Sequence, residues 1–187
     1  MDREMTPDAA PRKPRLATVW LGGCSGCHMS FLDLDERLLD LAAQVELCAS
    51  PITDFKDFPE ADITLVEGAV ANVEHLQHIQ EVRRKTKILV SFGDCAVTGN
   101  VTALRNPFEL EDVLNRAYHD TAAIVVGMPG AENGVVPRLL DRVVPVHEIV
   151  PVDYFLTGCP PSADAIFELV SALLANRAPA LEGRKFG

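Results

Sequence analysis

The sequence predicts an α/β fold, doubly wound and flavodoxin-like, with a mostly parallel sheet and helices on both faces. Two observations carry this reading. Short, continuously apolar segments such as Leu16-Ala17-Thr18-Val19-Trp20-Leu21 and Ile88-Leu89-Val90-Ser91-Phe92 alternate with stretches of three- and four-residue apolar spacing. Strands that are apolar on both faces belong to parallel sheets covered on both sides by helices. Glycine-rich segments follow several of these strands and precede helices, which is where such sheets gather their ligands.

Residues 1–14 contain Pro7, Pro11 and Pro14 among charges of both signs, with too little apolar material to fold alone. They read as an N-terminal arm, and residues 15–187 as a single domain. The first strand covers residues 16–21. After a Gly-rich loop, Phe31, Leu34, Leu38 and Leu41 recur at helical spacing and define the first helix. Residues 45–49 and 63–66 are the second and third strands. Asn72 suits a helix cap, because its side-chain oxygen accepts an N–H of the first turn, and the helix behind it runs to about residue 86. Residues 88–92 form the next strand, 107–119 a helix and 122–126 another strand. Beyond the Gly127-Met128-Pro129-Gly130 turn come a short helix around 137–142, an extended stretch ending near 153–156, and a last helix over 162–176.

The 187 residues carry 17 Lys and Arg against 27 Asp and Glu, a net charge of −10. A chain of this length buries roughly 70% of its unfolded surface and needs no disulfide to make a core. Its acidity argues against nucleic acid, whose affinity for proteins comes largely from Lys and Arg on phosphates. No apolar stretch approaches the ~20 residues of a membrane span, and the N-terminus lacks the pattern of a secretory signal. The expected location is therefore the cytoplasm. In that reducing compartment the five cysteines point to metal or redox chemistry rather than to structural disulfides. An apolar content of 48%, with a mean hydropathy of +0.11, suggests a surface reserved for a partner subunit.

Four of the cysteines follow strands. Cys24-Ser25-Gly26-Cys27 comes after the first, Cys95 lies in Gly93-Asp94-Cys95, and Cys159 in Gly158-Cys159-Pro160-Pro161. Loops at the carboxyl ends of the strands share one rim, so these four thiols can converge. Four thiolates are the usual ligand set of a 4Fe-4S cluster, and Cys-Pro also closes the ligand run of bacterial ferredoxins. Two other readings stand beside this one. Structural zinc uses four cysteines, usually as two close pairs, whereas Cys95 and Cys159 are 64 residues apart. A strand, Cys-x-x-Cys and a helix is also a thiol-redox arrangement, but it leaves Cys95 and Cys159 without a role. Either would make the chain a non-catalytic interaction module. Cys48 lies within a strand and reads as a small buried apolar residue.

The stretches Trp20-Leu21-Gly22-Gly23-Cys24-Ser25-Gly26-Cys27-His28-Met29-Ser30, Val66-Glu67-Gly68-Ala69-Val70, Ser91-Phe92-Gly93-Asp94-Cys95-Ala96 and Thr157-Gly158-Cys159-Pro160-Pro161 resemble, in order and spacing, the small subunit of nickel-iron hydrogenases. The resemblance spans about residues 16–176. It implies a flavodoxin-like domain with a proximal 4Fe-4S cluster, packed on a large subunit that holds the nickel-iron centre. Cys24, Cys27, Cys95 and Cys159 match the family's cluster ligands one by one. Respiratory members continue into a second domain with ligands for two further clusters. Here 28 residues follow Cys159 and none is cysteine, so one cluster is expected. Without an export signal, the sequence looks like the soluble, bidirectional, NAD-reducing branch, in which an iron-sulfur and flavin diaphorase module passes electrons to NAD. The homologous quinone-reductase subunit of respiratory complex I is the rival, but it typically has adjacent cysteines where this chain has Cys24-x-x-Cys27.

Chemistry on hydrogen then belongs to the large subunit, and this chain relays electrons. Glu67, at the end of the third strand on the cysteine rim, reads as a proton relay or an acceptor of hydrogen bonds from the cluster loop, and equally as an ordinary capped-turn carboxylate. Asp94, beside a ligand, would make reduction harder through its charge. His28 reads as a polar residue of the helix start or of a subunit contact. His75 and His78, among Glu74, Gln77 and Glu81, read as a solvated helix face, as do Asp33, Asp35 and Glu36 on the first helix. Gly22-Gly23 lacks the full dinucleotide spacing, so NAD is not expected to bind here. FMN is compatible with a flavodoxin-like fold, but no motif supports it.

Overall fold

The computed structural model describes residues 12–53, 57–120 and 136–181. In chain order these form β1 (Arg15–Trp20), α1 (Gly26–Leu32), α2 (Arg37–Gln44), β2 (Glu46–Ala49), β3 (Ala61–Glu67), β4 (Val70–Asn72), α3 (Val73–Lys85), β5 (Thr86–Phe92) and α4 (Asp94–Thr98). A 3-10 helix (Asn100–Arg105) leads to α5 (Leu110–Asn115) and a π-helical turn (Arg116–Asp120). β6 (Leu139–Val144), a short 3-10 turn (Val146–Glu148), β7 (Tyr154–Leu156) and α6 (Ala163–Leu174) complete the described chain.

Five strands make one parallel sheet in the order β2-β1-β3-β5-β7. The chain starts centrally at β1, winds outward to β2, then crosses to β3 and proceeds the other way, which is the flavodoxin-like winding. Successive side chains of a strand point to opposite faces, and β1 shows the result. Leu16 packs with Phe31, Leu34, Leu41, Ile166 and Leu169 in one core. Ala17 and Val19 pack with Val66, Ile79, Val82 and Leu89 in the other. The expected two-faced sheet is thus observed.

Local signals explain the helix ends that sequence reading found. Asn72 accepts the His75 N–H at 2.8 Å to start α3, and Arg83, Arg84 and Lys85 close it, where positive charge complements the helix dipole. Ser162 accepts the Ala165 N–H at 3.3 Å to start α6.

Three expectations are corrected. The first helix is two helices, α1 and α2. Between them Asp35 takes a left-handed φ of 51°, a conformation that Asp tolerates better than most residues. Their apolar residues still face the same core, so the spacing ran on through the break. The helix expected over 107–119 is regular only across α5 and ends in the π-helical turn. The helix expected around 137–142 is the strand β6, antiparallel to β4. Its Leu139, Leu140, Val143 and Val144 mimic helical spacing, but distant partners decide its conformation. Val143 is buried against Ala69 and Ala71, Asn106 bonds both the N–H and the carbonyl of Val143 at 2.8 Å, and Arg105 donates to the Leu140 and Asp141 carbonyls. The strand expected over 122–126 and the turn at 127–130 lie outside the described residues.

Candidate functional site

The carboxyl ends of four strands stand side by side. Trp20 is the register partner of Glu67, Glu67 of Phe92, and Phe92 of Leu156. The cysteine loops leave from this line and are tied to one another by backbone bonds. Gly93 N donates to Leu156 O at 2.8 Å and Asp94 N to Gly158 O at 2.9 Å, while Gly158 N donates to Asp94 Oδ1 at 2.7 Å. Gly22 and Ala69 exchange backbone bonds at 2.8 and 2.7 Å.

Cys27 and Cys95 are buried at this rim, and Cys24 and Cys159 are exposed. Burial pushes the Cys27 thiol up, and the charges of Glu67, Cys95, Cys24 and Cys159 push it further. Burial also raises Cys95, opposed by a hydrogen bond from Thr102 and reinforced by Cys24 and Cys159. Cys27 therefore lies within electrostatic reach of the other three sulfurs, and Cys95 within reach of Cys24 and Cys159. Each ionised thiolate opposes the next, a conflict that a polycationic centre removes because metal-bound thiols lose their protons outright.

The backbone makes room for a ligand sulfur. Gly93 has φ 84° and ψ 161°, and a Cβ there would stand 2.1 Å from Cys27 Sγ. Asn100 Nδ2 donates to Cys159 Sγ at 3.4 Å. Among the described residues, no three His, Cys, Asp or Glu side chains gather closely enough for a single metal ion. One zinc ion would draw its sulfurs to about 2.3 Å from a common point, whereas a cluster spreads its ligands over separate irons. The donor set, four thiols from three strand ends, fits an iron-sulfur cluster.

Glu67 is 2% exposed. It accepts the Cys27 N–H at 3.4 Å and the His28 N–H at 3.0 Å, and it pairs with His28 Nδ1. Ser25, at the N-cap of α1, has a left-handed φ of 66° and makes no side-chain cap bond. Two of the orphan N–H groups of the helix, those of Cys27 and His28, are instead served by a carboxylate from β3, where negative charge also suits the helix dipole.

His28 is 1% exposed and packs edge-on to Trp20 and Phe92. It belongs to the helix start, as expected, but not to an exposed contact. His75 and His78 are half-buried rather than solvated: His75 Nδ1 accepts the Ala71 N–H and His78 packs against Phe58. Asp33, Asp35 and Glu36 are exposed, as expected. Cys48 is buried in β2 and donates to Leu16 O at 3.4 Å, so its packing role holds. The sequence marked neither Asn100 nor Thr102. Their only cue was their position after the short helix that carries Cys95.

Residues 24–173 match the family described as NADH ubiquinone oxidoreductase, 20 Kd subunit, and the chain belongs to that family. It is 46% identical over 171 residues to the NAD-reducing hydrogenase HoxS subunit delta of Cupriavidus necator, covering 88% of this chain and 80% of the relative. It is 38% identical to a subunit of the F420-non-reducing hydrogenase of Methanothermobacter marburgensis, with 87% of this chain matched to 54% of that one. The chain thus spans about half the length of this relative. A crystal structure of NAD+-reducing [NiFe]-hydrogenase in the H2-reduced state superposes with a TM-score of 0.89 at 42% identity, over 94% of this chain and all of the matched one. A [NiFeSe]-hydrogenase from Dm. baculatum, with a TM-score of 0.60 at 16% identity over 89% of this chain and 63% of that one, shares the fold. Within its family the chain stands with the small subunits of NAD-reducing [NiFe]-hydrogenases.

Proposed function

We propose that Cys24, Cys27, Cys95 and Cys159 hold one 4Fe-4S cluster, and that the chain is the electron-relay small subunit of a cytoplasmic nickel-iron hydrogenase that reduces NAD. The observation that carries this reading is the meeting of four thiols from three strand ends, with Gly93 making room for the Cys27 sulfur. A cluster held there supplies a one-electron carrier between hydrogen oxidation on the large subunit and a diaphorase module.

The chain's own residues hold and shield the site. Cys27 and Cys95 anchor it to the core, and Asn100 donates to the Cys159 sulfur. Asp94 joins the β5 and β7 loops, and Glu67 fixes the turn bearing Cys27. With its oxygens committed to that turn, Glu67 serves better as a cap than as a proton relay. Trp20, Met29 and Leu32 are exposed around α1, as are Val101, Leu104 and Phe108 beyond α4. This apolar rim is the docking face for the large subunit. The proposal includes no flavin in this chain. No helix among the described residues is long and apolar enough to cross a membrane.

Anaerobic purification followed by iron and sulfide analysis tests the cluster. About four of each per chain is the expected result, and zinc, or no metal, overturns it. Co-purification with a nickel-bearing large subunit and diaphorase subunits tests the assembly. The family description favours a second reading, a quinone-reductase subunit like that of complex I, and a nickel-free complex that reduces quinone would establish it.

A further inference from the structure

The geometry points to His28 as a positioning residue. Through Glu67 it fixes the turn that carries Cys27, and so the place and electronic surroundings of the cluster. This rests on the cluster reading above. His28 touches no sulfur in the observed bonds and acts through the carboxylate.

A carboxylate at the end of a strand is free to rotate about its own side-chain bonds. Glu67 is held by three donors from one turn: the N–H of Cys27 on Oε1, and the N–H and Nδ1 of His28 on Oε2. The two backbone bonds are long or ordinary in length. The imidazole bond is a side-chain contact between two groups that are each nearly inaccessible, where hydrogen bonds to an ionised acceptor are strongest.

The ring has little freedom of its own. Trp20 lies edge-on at 5.1 Å between centroids and Phe92 at 6.0 Å. Trp20, Glu67 and Phe92 are register neighbours on β1, β3 and β5. His28 is thus clamped above the ends of three strands while reaching across to the carboxylate. On the other side, Cys27 Sγ occupies the space that a Cβ on residue 93 would fill. A tilt of this turn toward Gly93 drives the sulfur into that backbone.

The ring's two nitrogens are used unequally. Nδ1 serves Glu67, whereas Nε2 is buried and has no hydrogen-bond partner among the described residues. With the proton on Nδ1, the ring donates to the carboxylate and leaves a bare acceptor at Nε2. This asymmetry gives a discriminating experiment. An asparagine places its amide nitrogen where Nδ1 stands, a glutamine places its own near Nε2, and a leucine supplies neither.

His28→Asn, His28→Gln and His28→Leu are introduced into the holoenzyme complex and purified anaerobically. Three readouts are taken: iron and sulfide per chain, the EPR spectrum of the reduced cluster with its midpoint potential, and the rate of iron loss to a chelator. Partners that orient metal ligands typically contribute 10–100-fold in metal affinity. His28→Leu and His28→Gln are therefore expected to lose iron at least tenfold faster than the parent, with altered g-values and midpoint potential. His28→Asn is expected to restore both toward the parent. If leucine matches the parent in spectrum, potential and iron loss, His28 has no positioning role. If asparagine fails as badly as leucine and glutamine, the ring's bulk matters rather than its bond, and the inference is overturned. If the parent complex itself carries no iron-sulfur cluster on this chain, the cluster reading fails first, and this outcome is read before any variant is compared.

Discussion

Replacing Gly93 by alanine adds one methyl group at the tightest point of the site. The new Cβ would stand 2.1 Å from Cys27 Sγ and 3.5 Å from Gly158 O, so the sulfur has to move. Backbone strain adds to the clash. With φ 84° and ψ 161°, residue 93 occupies a region used almost only by glycine, and another residue there costs about 1–3 kcal/mol. Overpacking adds about 1–3 kcal/mol, giving roughly 2–6 kcal/mol in all. At about 2–4 °C per kcal/mol for a domain of this size, the unfolding temperature should fall by around 10 °C. Displacement of Cys27 should also lower iron content. The assay is thermal unfolding under anaerobic conditions, with iron and sulfide per chain measured on the same preparation. Gly26→Ala is the control, because its Cβ would meet only Cys24 Sγ, at 3.2 Å rather than 2.1 Å, and its loss should be clearly smaller. A Gly93→Ala protein with parental iron content and unfolding temperature would refute the claim that this glycine makes room for the sulfur.

Four further outcomes are expected. Asn100→Gly keeps the backbone freedom needed at φ 35° but removes the donor to Cys159 Sγ. Since hydrogen bonds to cluster sulfurs raise the potential, the midpoint should fall, and an unchanged redox titration would remove this role. Asp94→Asn retains an acceptor for Gly158 N while deleting a charge beside the site, so the midpoint should rise; no change would show that the charge is not felt. Met29→Glu alters a side chain that is 60% exposed on α1, so it should spare the fold but reduce recovery of the large subunit in pull-downs, and full recovery would take Met29 out of the interface. Burial holds the His75 and His78 imidazoles below their ordinary value. Between those values and about 6.5 the unfolded chain binds more protons than the folded one, so stability falls as pH drops through this window. Urea midpoints at pH 7.5 and 5.5 should differ less in a His75→Asn, His78→Gln double variant than in the parent. Equal differences would contradict the assignment.

The sheet was legible because its strands are apolar on both faces, and the cysteine rim because ligands at strand ends obey a topological rule. What escaped depends on contacts between residues far apart in sequence. β6 looked helical until its partners β4, Arg105 and Asn106 were in place. His28 sits among polar and apolar neighbours without a pattern that marks burial, and only the register of Trp20, Glu67 and Phe92 explains why an imidazole is enclosed there. Glu67 was legible as a rim residue, but its service to a helix 39 residues earlier was not separable from a relay role. Asn100 gave no signal, since a single amide in a loop is an ordinary turn residue until its partner sulfur is known.

The exposure of Cys24 and Cys159, set against the burial of Cys27 and Cys95, gives the site an inside and an outside. The inner half is walled by this chain's own core and stays protected as long as the domain is folded. The outer half is left open by the described residues. Thiolates open to solvent are the ones oxidants reach first, so a loaded chain waiting alone is at its most vulnerable. On the proposed reading, docking follows cluster insertion closely and begins at the exposed apolar side chains around α1.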